Sequence, residues 1–285
     1  MANKFGRNYK FIVEGSNGQF IDIELPLSID FTIERNYYSS ANSSSVTVFN
    51  LSRKKRELIA KDYQAVGFQR RAELLVGYRG QLSRIGYGNL QRAFSRRTRA
   101  DYETTVDFFD GGWSKQRATS NFSVPRGTTI QNVVNRFVDD LVATGLKKGA
   151  IGTFSGSLSR GQSYSGNSLY QLNVLTDDAA YIDNGFINVV GDSEGVTPAL
   201  RIDSNSGLLG SPIRESTYIT FEMLMEPKLY IGQIVNLQSR SGDRVNGLHK
   251  VYAITHHGRV SETTGGEMIT RVGLLNSQFH ELRRG

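Results

Sequence analysis

Apolar and polar residues alternate with a period of two along much of this chain. Between 21 and 33, Ile21, Ile23, Leu25, Leu27, Ile29, Phe31 and Ile33 share one parity, which puts them on one face of an extended chain. Pro26 falls on the other parity and donates no ladder hydrogen bond, so it predicts a break between two strands. A polar, turn-rich link over 36–45 leads to a strand at 46–49. Ser52 then stands as the cap of a short helix reaching Lys61, with Glu57 and Lys61 four residues apart. Further strands are predicted at 72–78, closed by a turn at Arg79-Gly80, at 85–90, and at 104–108 before Asp110-Gly111. Near the C-terminus Ile219, Phe221 and Met223 alternate with polar residues, and apolar runs follow at 234–237, 251–254 and 269–272. Strands spaced in this way with Gly and Pro between them predict antiparallel barrels.

The period changes in the middle. Thr128 and Gln131 have the spacing of a capping box. Ile130, Val133, Val134, Phe137, Val138, Leu141 and Val142 follow at helical spacing, and Gly145 supplies a stop. Residues 146–166 are rich in Gly and Ser and read as a long mobile loop. A second capping box, Ser168 with Gln171, opens a helix running to about Ala180. Asn184-Gly185 between two apolar runs is a hairpin signal. The expected fold is therefore mainly β with a small α+β insertion: a β-barrel domain over 1–112, an α+β middle domain over 113–205, and a second barrel over 206–285.

The order of short motifs resembles the baseplate hub proteins of phage tails. Val48-Phe49-Asn50-Leu51-Ser52, Gly77-Tyr78-Arg79-Gly80, a glycine-centred strand and a strand closing on Asp110-Gly111 come first. Gly207-Leu208-Leu209-Gly210 with Pro212, the turn Met225-Glu226-Pro227-Lys228-Leu229, a strand from Gly232 through Val235 to Leu237, and Lys250-Val251 with Ile254, His256 and Gly258 come later. The resemblance implies structural roles for Asn50, Leu51, Gly77, Tyr78, Asp110, Gly111, Pro227, Gly232, His256 and Gly258. It also implies a homotrimer whose six barrels form a ring, with a tail tube or distal tube protein above and a spike below. Other baseplate proteins would be further partners, with DNA passing transiently through the ring. Such a protein is a structural part of the virion, assembled in the host cytoplasm, rather than an enzyme.

Composition narrows the chemistry. The chain has 285 residues and no cysteine, so disulfides and thiolate zinc or redox sites are excluded. No apolar run approaches the roughly 20 residues of a membrane span, and Phe11-Ile12-Val13 meets Glu14 too soon for a signal peptide. The net charge is +7, and its distribution says more than its size. No acidic residue lies between Glu73 and Asp101, where Arg79, Arg84, Arg92, Arg96, Arg97 and Arg99 fall. Arg53, Lys54, Lys55 and Arg56 occupy a first helical turn, where the dipole disfavours cations. Arg84, Arg92, Arg96, Arg97, Arg99, Arg53, Lys54 and Lys55 are thus candidate contacts with an acidic neighbour. A nucleic-acid interface built on 79–99 is the alternative, and a carbohydrate-active barrel enzyme a third. Catalytic candidates are thin: Asp139-Asp140 and Asp177-Asp178 lie near helix ends, no phosphate loop or nucleophile elbow is present, and His256 and His257 would point to opposite faces of a strand. Neither metal nor cofactor is expected.

Overall fold

The computed structural model describes residues 4–37, 42–62, 69–216, 218–240, 244–263, 265–275 and 280–283. The N-terminal part holds β1 (Arg7–Glu14), β2 (Phe20–Glu24), β3 (Ile29–Asn36), β4 (Ser43–Phe49), the helix α1 (Arg53–Ile59), β5 (Arg71–Tyr78), β6 (Gln81–Thr98) and β7 (Asp101–Phe109). The middle holds α2 (Gly112–Arg117), β8 (Thr119–Val124), α3 (Ile130–Val142), β9 (Lys147–Ile151), β10 (Gln162–Asn167), α4 (Ser168–Thr176), β11 (Ala180–Asp183) and β12 (Phe186–Val189). The last part holds β13 (Glu194–Ile202), β14 (Leu208–Glu215), β15 (Tyr218–Leu224), β16 (Gln233–Leu237), β17 (Gly247–Val260), β18 (Met268–Leu275) and β19 (His280–Arg283).

The mainly β class is as the alternation predicts. Ile23, Ile29 and Ile33 are fully buried, and β2 and β3 are separate strands on either side of Pro26. Closure of two separate barrels is not detected among the described strands. Most of them share one sheet that runs β14-β15-β18-β17-β3-β4-β7-β6-β5-β1-β2, with β13, β16 and β19 attached to it. The long strand β17 is the reason. It pairs with β16 and β18, and from Ala253 to Val260 it also pairs with β3 from Asn36 back to Ile29. Alternation tells which face of a strand is buried, not which strand lies beside it. The sheet is also not wholly antiparallel, since β13 runs parallel to both β16 and β19. That strand, placed with the middle of the chain on sequence, belongs to the large sheet.

Several local readings shift. The link at 36–45 gives way to β4 at Ser43, and its residues 38–41 lie outside the described part. Ser52 caps α1 by accepting from the Lys55 amide, but Glu57 pairs with Arg53 at 2.7 Å, and the Lys61 ammonium donates to the Leu90 carbonyl. The cap of α3 is Thr129, one residue later than the expected box; Gln131 instead accepts from the Phe154 amide. Asn167, not Ser168, caps α4, and α4 ends at Thr176. The stretch 146–166 is no featureless loop: β9 pairs parallel with β12, and β10 pairs with β8 through Tyr164 opposite Phe122. Gly and Ser dominate its composition, yet Ala150 and Tyr164 are buried, and Tyr164 packs its ring on Phe122 and Phe137. The Asn184-Gly185 hairpin forms as expected, with φ of 52° and 79° at its two turn residues.

Apolar side chains gather in three clusters: one inside the N-terminal strands around Phe11, Ile33 and Phe108, one in the C-terminal strands around Phe221 and Ile254, and one between α3, α4 and their small sheets around Phe137. Met225, Val260 and Met268 join the first cluster from the C-terminal strands, and Tyr37 and Tyr181 join the second, so the clusters interlock. Replacing Ile23 or Phe221 with Ala should cost on the order of 2–5 kcal/mol through the cavity left behind. Denaturant titration checks this; a loss below about 1 kcal/mol at either position would mean that the side chain is not in a packed core.

Candidate functional site

Two places concentrate polar side chains that the packing does not by itself require. The first is buried where the N-terminal strands, the β11–β12 hairpin and the 229–232 turn meet. Arg35 lies on the inward parity of β3, beyond Ile33, and is 3% exposed. Its Nε donates to Asp183 Oδ1 at 2.7 Å and its Nη2 to Asp183 Oδ2 at 3.0 Å, while Nη2 also reaches the Leu229 carbonyl at 3.0 Å. Asp183 Oδ2 in turn accepts from the Ile231 amide at 3.3 Å. A fork of this kind fixes both distance and orientation between the elements that carry it.

Around this pair the joints are tight. Asp110 Oδ1 accepts the Gly185 amide at 2.9 Å, and Asn42 Nδ2 donates to the Ile182 carbonyl. Gly111, at φ 63°, sits so close to Ile182 that a Cβ would come within 2.6 Å of its Cδ1. A Cβ on Gly232, at φ 82°, would come within 2.2 Å of the Tyr181 hydroxyl, which donates to the Ile231 carbonyl. Lys250 is fully buried; its ammonium donates to the Gly191 carbonyl at 2.9 Å and lies 4.5 Å from the Tyr37 ring centre, and burial lowers its pKa to about 8 despite Asp192 and Glu194 nearby. His256 is buried with Nδ1 2.9 Å from Thr270 Oγ1, and burial, with Arg35 and His257 near, holds it well below the usual histidine range. His257 points the other way, with Nε2 3.6 Å from Glu267. His249 is buried with Nε2 2.9 Å from the Val245 carbonyl, and His280 has no described side chain. Sequence reading named Asp110, Gly111, Gly232 and His256 but missed Arg35, Asp183 and Lys250. The available signal was a cation continuing the inward parity of Ile29, Phe31 and Ile33.

The second place is the exposed end of the β6–β7 hairpin. Every residue from Phe94 to Tyr102 is exposed. Asn50, at φ 56°, fastens this end to the start of α1: its amide donates to the Tyr102 carbonyl at 2.7 Å, its Oδ1 accepts from the Tyr102 amide at 3.0 Å, and its Nδ2 donates to Asp101 at 2.9 Å. Leu51 beside it is buried in the first cluster. The two basic runs, far apart in sequence, therefore meet around Tyr102, with the Arg56 guanidinium 3.8 Å and that of Arg97 6.0 Å from its ring centre. The candidates divide by partner. Arg92 pairs with Asp107 and Arg96 with Glu103, both at 2.7 Å across the hairpin. Arg84 lies 3.5 Å from Glu73 and donates to the Asn184 carbonyl at 3.0 Å; Arg53 pairs with Glu57; Lys55 donates to the Asp22 carbonyl. Arg99 and Lys54 meet no carboxylate among the described residues, and Arg97 donates to the Arg99 carbonyl. The stretch 79–99 is consequently not a continuous stripe of free cations, because β7 supplies acids that β6 lacks.

The remaining motif positions are structural joints. Gly77 and Gly258 lie against the backbone of Gln81 and Glu267 on neighbouring segments, the Tyr78 hydroxyl donates to the Met225 carbonyl, and Pro227 is buried in the turn after β15. A cleft of about 870 Å³ beside the N-terminal segment is lined by Lys4, Arg7 and Arg259, but these are held by Glu226, the Gly266 carbonyl and Asp30 respectively. Among the described residues no group of three or more His, Asp or Glu side chains could hold a metal ion.

The Baseplate hub gp41 family matches residues 10–259. The chain belongs to that family. Among solved structures the fold is shared with the 43 kDa tail protein of prophage MuSo2 from Shewanella oneidensis, at 7% identity and a TM-score of 0.60, covering 93% of this chain and 96% of that one. A tail protein from Neisseria meningitidis MC58 is similar at 10% identity and a TM-score of 0.59, covering 97% and 98%. The E. coli c3393 protein, a component of the type VI secretion system described as structurally similar to the T4 tail proteins gp27 and gp5, is similar at 7% identity and 0.57, covering 90% and 76%. No curated protein matches the chain in sequence. At these identities the structures speak for the fold, and the family match makes this a phage tail baseplate protein.

The buried junction predicts a pH signature for the hub. Burial, with Asp183 close by, raises the Asp110 pKa from 3.8 to about 7. The folded chain thus binds this proton more tightly than the unfolded one. The contribution is full below the unfolded value near 4, is lost as pH climbs towards about 7, and is flat above it. Asp110→Asn keeps an acceptor for Gly185 and removes the titration. The stability of the variant relative to wild type should rise between pH 4 and 7 by at most about 4 kcal/mol, measured by denaturant unfolding at several pH values. A difference independent of pH would show that Asp110 is ionised throughout.

Proposed function

We propose that this chain is the structural hub of its baseplate: three copies form a ring that joins a six-fold tail tube to a three-fold spike and leaves a channel for DNA. The observation that carries the proposal is the continuous sheet through β3 and β17. It makes an N-terminal and a C-terminal set of strands into one body, so three chains offer six sheet halves to a six-fold neighbour while keeping three-fold symmetry for the other. The work is symmetry matching, with no catalytic step.

The solvent face of the shared sheet suits a passage for a polyanion. Its arginines are neutralised in place: Arg271 by Glu222, Arg259 by Asp30 and Arg92 by Asp107. Hydroxyls fill the space between, with Ser45 donating to Asp107 and Thr47 beside Thr105 at 3.1 Å. Paired charges leave little net field to hold phosphates. Lys54, Arg97 and Arg99, which meet no carboxylate among the described residues, instead gather around the exposed hairpin end, which in this reading is free for subunit and tube contacts. The nucleic-acid reading of 79–99 loses ground for the same reason.

Native mass measurement of the purified chain tests this reading. Three copies per particle are expected, and the particle should take up tube and spike proteins without taking up duplex DNA. A chain that stays monomeric at all concentrations, or binds DNA with an affinity falling steeply with salt, would overturn it.

A further inference from the structure

We infer that the arginine-bearing end of the β6–β7 hairpin docks on the exposed face of α4 in a second copy of this chain. This rests on the ring proposed above and names the contact that closes it. The helix α4 buries Leu172 against α3 and its small sheets, yet Tyr170 and Val174, one turn apart, are each 66% exposed on its outer side. An outer face this apolar on a surface helix is unpartnered in the single chain. Just beyond it stand Asp177 and Asp178, exposed, at φ 56° and 59°, and meeting no cation among the described residues. Carboxylates at a helix C-terminus oppose the dipole, as the cations in the first turn of α1 oppose it with the other sign. Each end carries the charge that suits the other.

No hydrogen bond or ion pair among the described residues joins the two surfaces within one chain. The hairpin turns between Thr98 and Asp101, while the opposite end of β7 leads to Asp110, whose carboxylate holds Gly185 beside the α4 unit. Eight residue steps of β7 separate those ends by roughly 27 Å. Complementary surfaces at opposite ends of a subunit make a head-to-tail contact, and such contacts close into a ring when the rotation allows it. Arg97 and Arg99 would meet Asp177 and Asp178, and the exposed Tyr102 ring, which pairs with Arg97 across the hairpin and so shares its face, would cover Tyr170 and Val174.

Sedimentation of the full-length chain over a concentration series tests this, with thermal melts confirming that each variant folds. Asp177→Asn with Asp178→Asn tolerates the same backbone and should raise the concentration for half-assembly about tenfold or more. Arg97→Glu with Arg99→Glu should do the same. Combining the latter with Asp177→Arg and Asp178→Arg should restore assembly. A wild-type trimer indifferent to the Asn pair, or a combined variant that stays apart, overturns this contact and leaves the ring reading standing. A wild-type chain that never trimerises overturns both.

Discussion

The fold depends on one ion pair held out of water. Arg35 and Asp183 are each 3% exposed, and their two-pronged contact ties a strand of the large sheet to a hairpin of the inserted unit. Burying two charges is expensive, and the pair offsets that cost only while its geometry and further hydrogen bonds persist. The Leu229 carbonyl and the Ile231 amide supply those bonds from the turn between β15 and β16. Three parts of the chain therefore have to be in place together for these bonds to form. This links the three apolar clusters in a way that apolar packing alone, which tolerates sliding, does not.

The second constraint is the length of β17. Its fourteen residues serve two neighbourhoods, so the C-terminal strands and the N-terminal strands share one hydrogen-bonded ladder. A shared ladder couples the two sets of strands, which is the coupling that the proposed ring between tube and spike would need. Charge follows the same division. Arg92, Arg96, Arg259 and Arg271 on the sheet are each matched by an acid on the adjacent strand, whereas Arg97 and Arg99 at the exposed hairpin end meet no carboxylate among the described residues.

Much of this was legible before any coordinates. The parity of Ile21 to Ile33 marked a buried face because side chains alternate strictly along a strand, and Asn184-Gly185 marked its hairpin because both turn residues need positive φ. Ile130 to Val142 marked α3 by spacing alone. What stayed hidden were relations between distant segments. Nothing in the alternation of β17 says that β3 lies beside it, so the joining of the two strand sets into one sheet stayed hidden. The acids that neutralise Arg92 and Arg96 come from β7, reached only after the hairpin turns, so a run without acidic residues looked freer than it is. The motif residue Asn50 looked merely structural, and its side chain turned out to bring two basic runs together around Tyr102. Arg35 went unread although it continues the inward parity of Ile33, and its partner, 148 residues away, leaves no signal in the sequence.

Calorimetric unfolding of the wild-type chain beside Asp183→Asn tests most directly whether the buried pair makes one body of three clusters. The substitution leaves Arg35 buried without its counter-charge, at a cost of about 3–5 kcal/mol. The wild type should unfold in a single transition, and the variant should melt earlier with the α3–α4 unit separating from the sheet. A wild type that already melts in separate steps, or a variant with an unchanged single transition, would contradict the account.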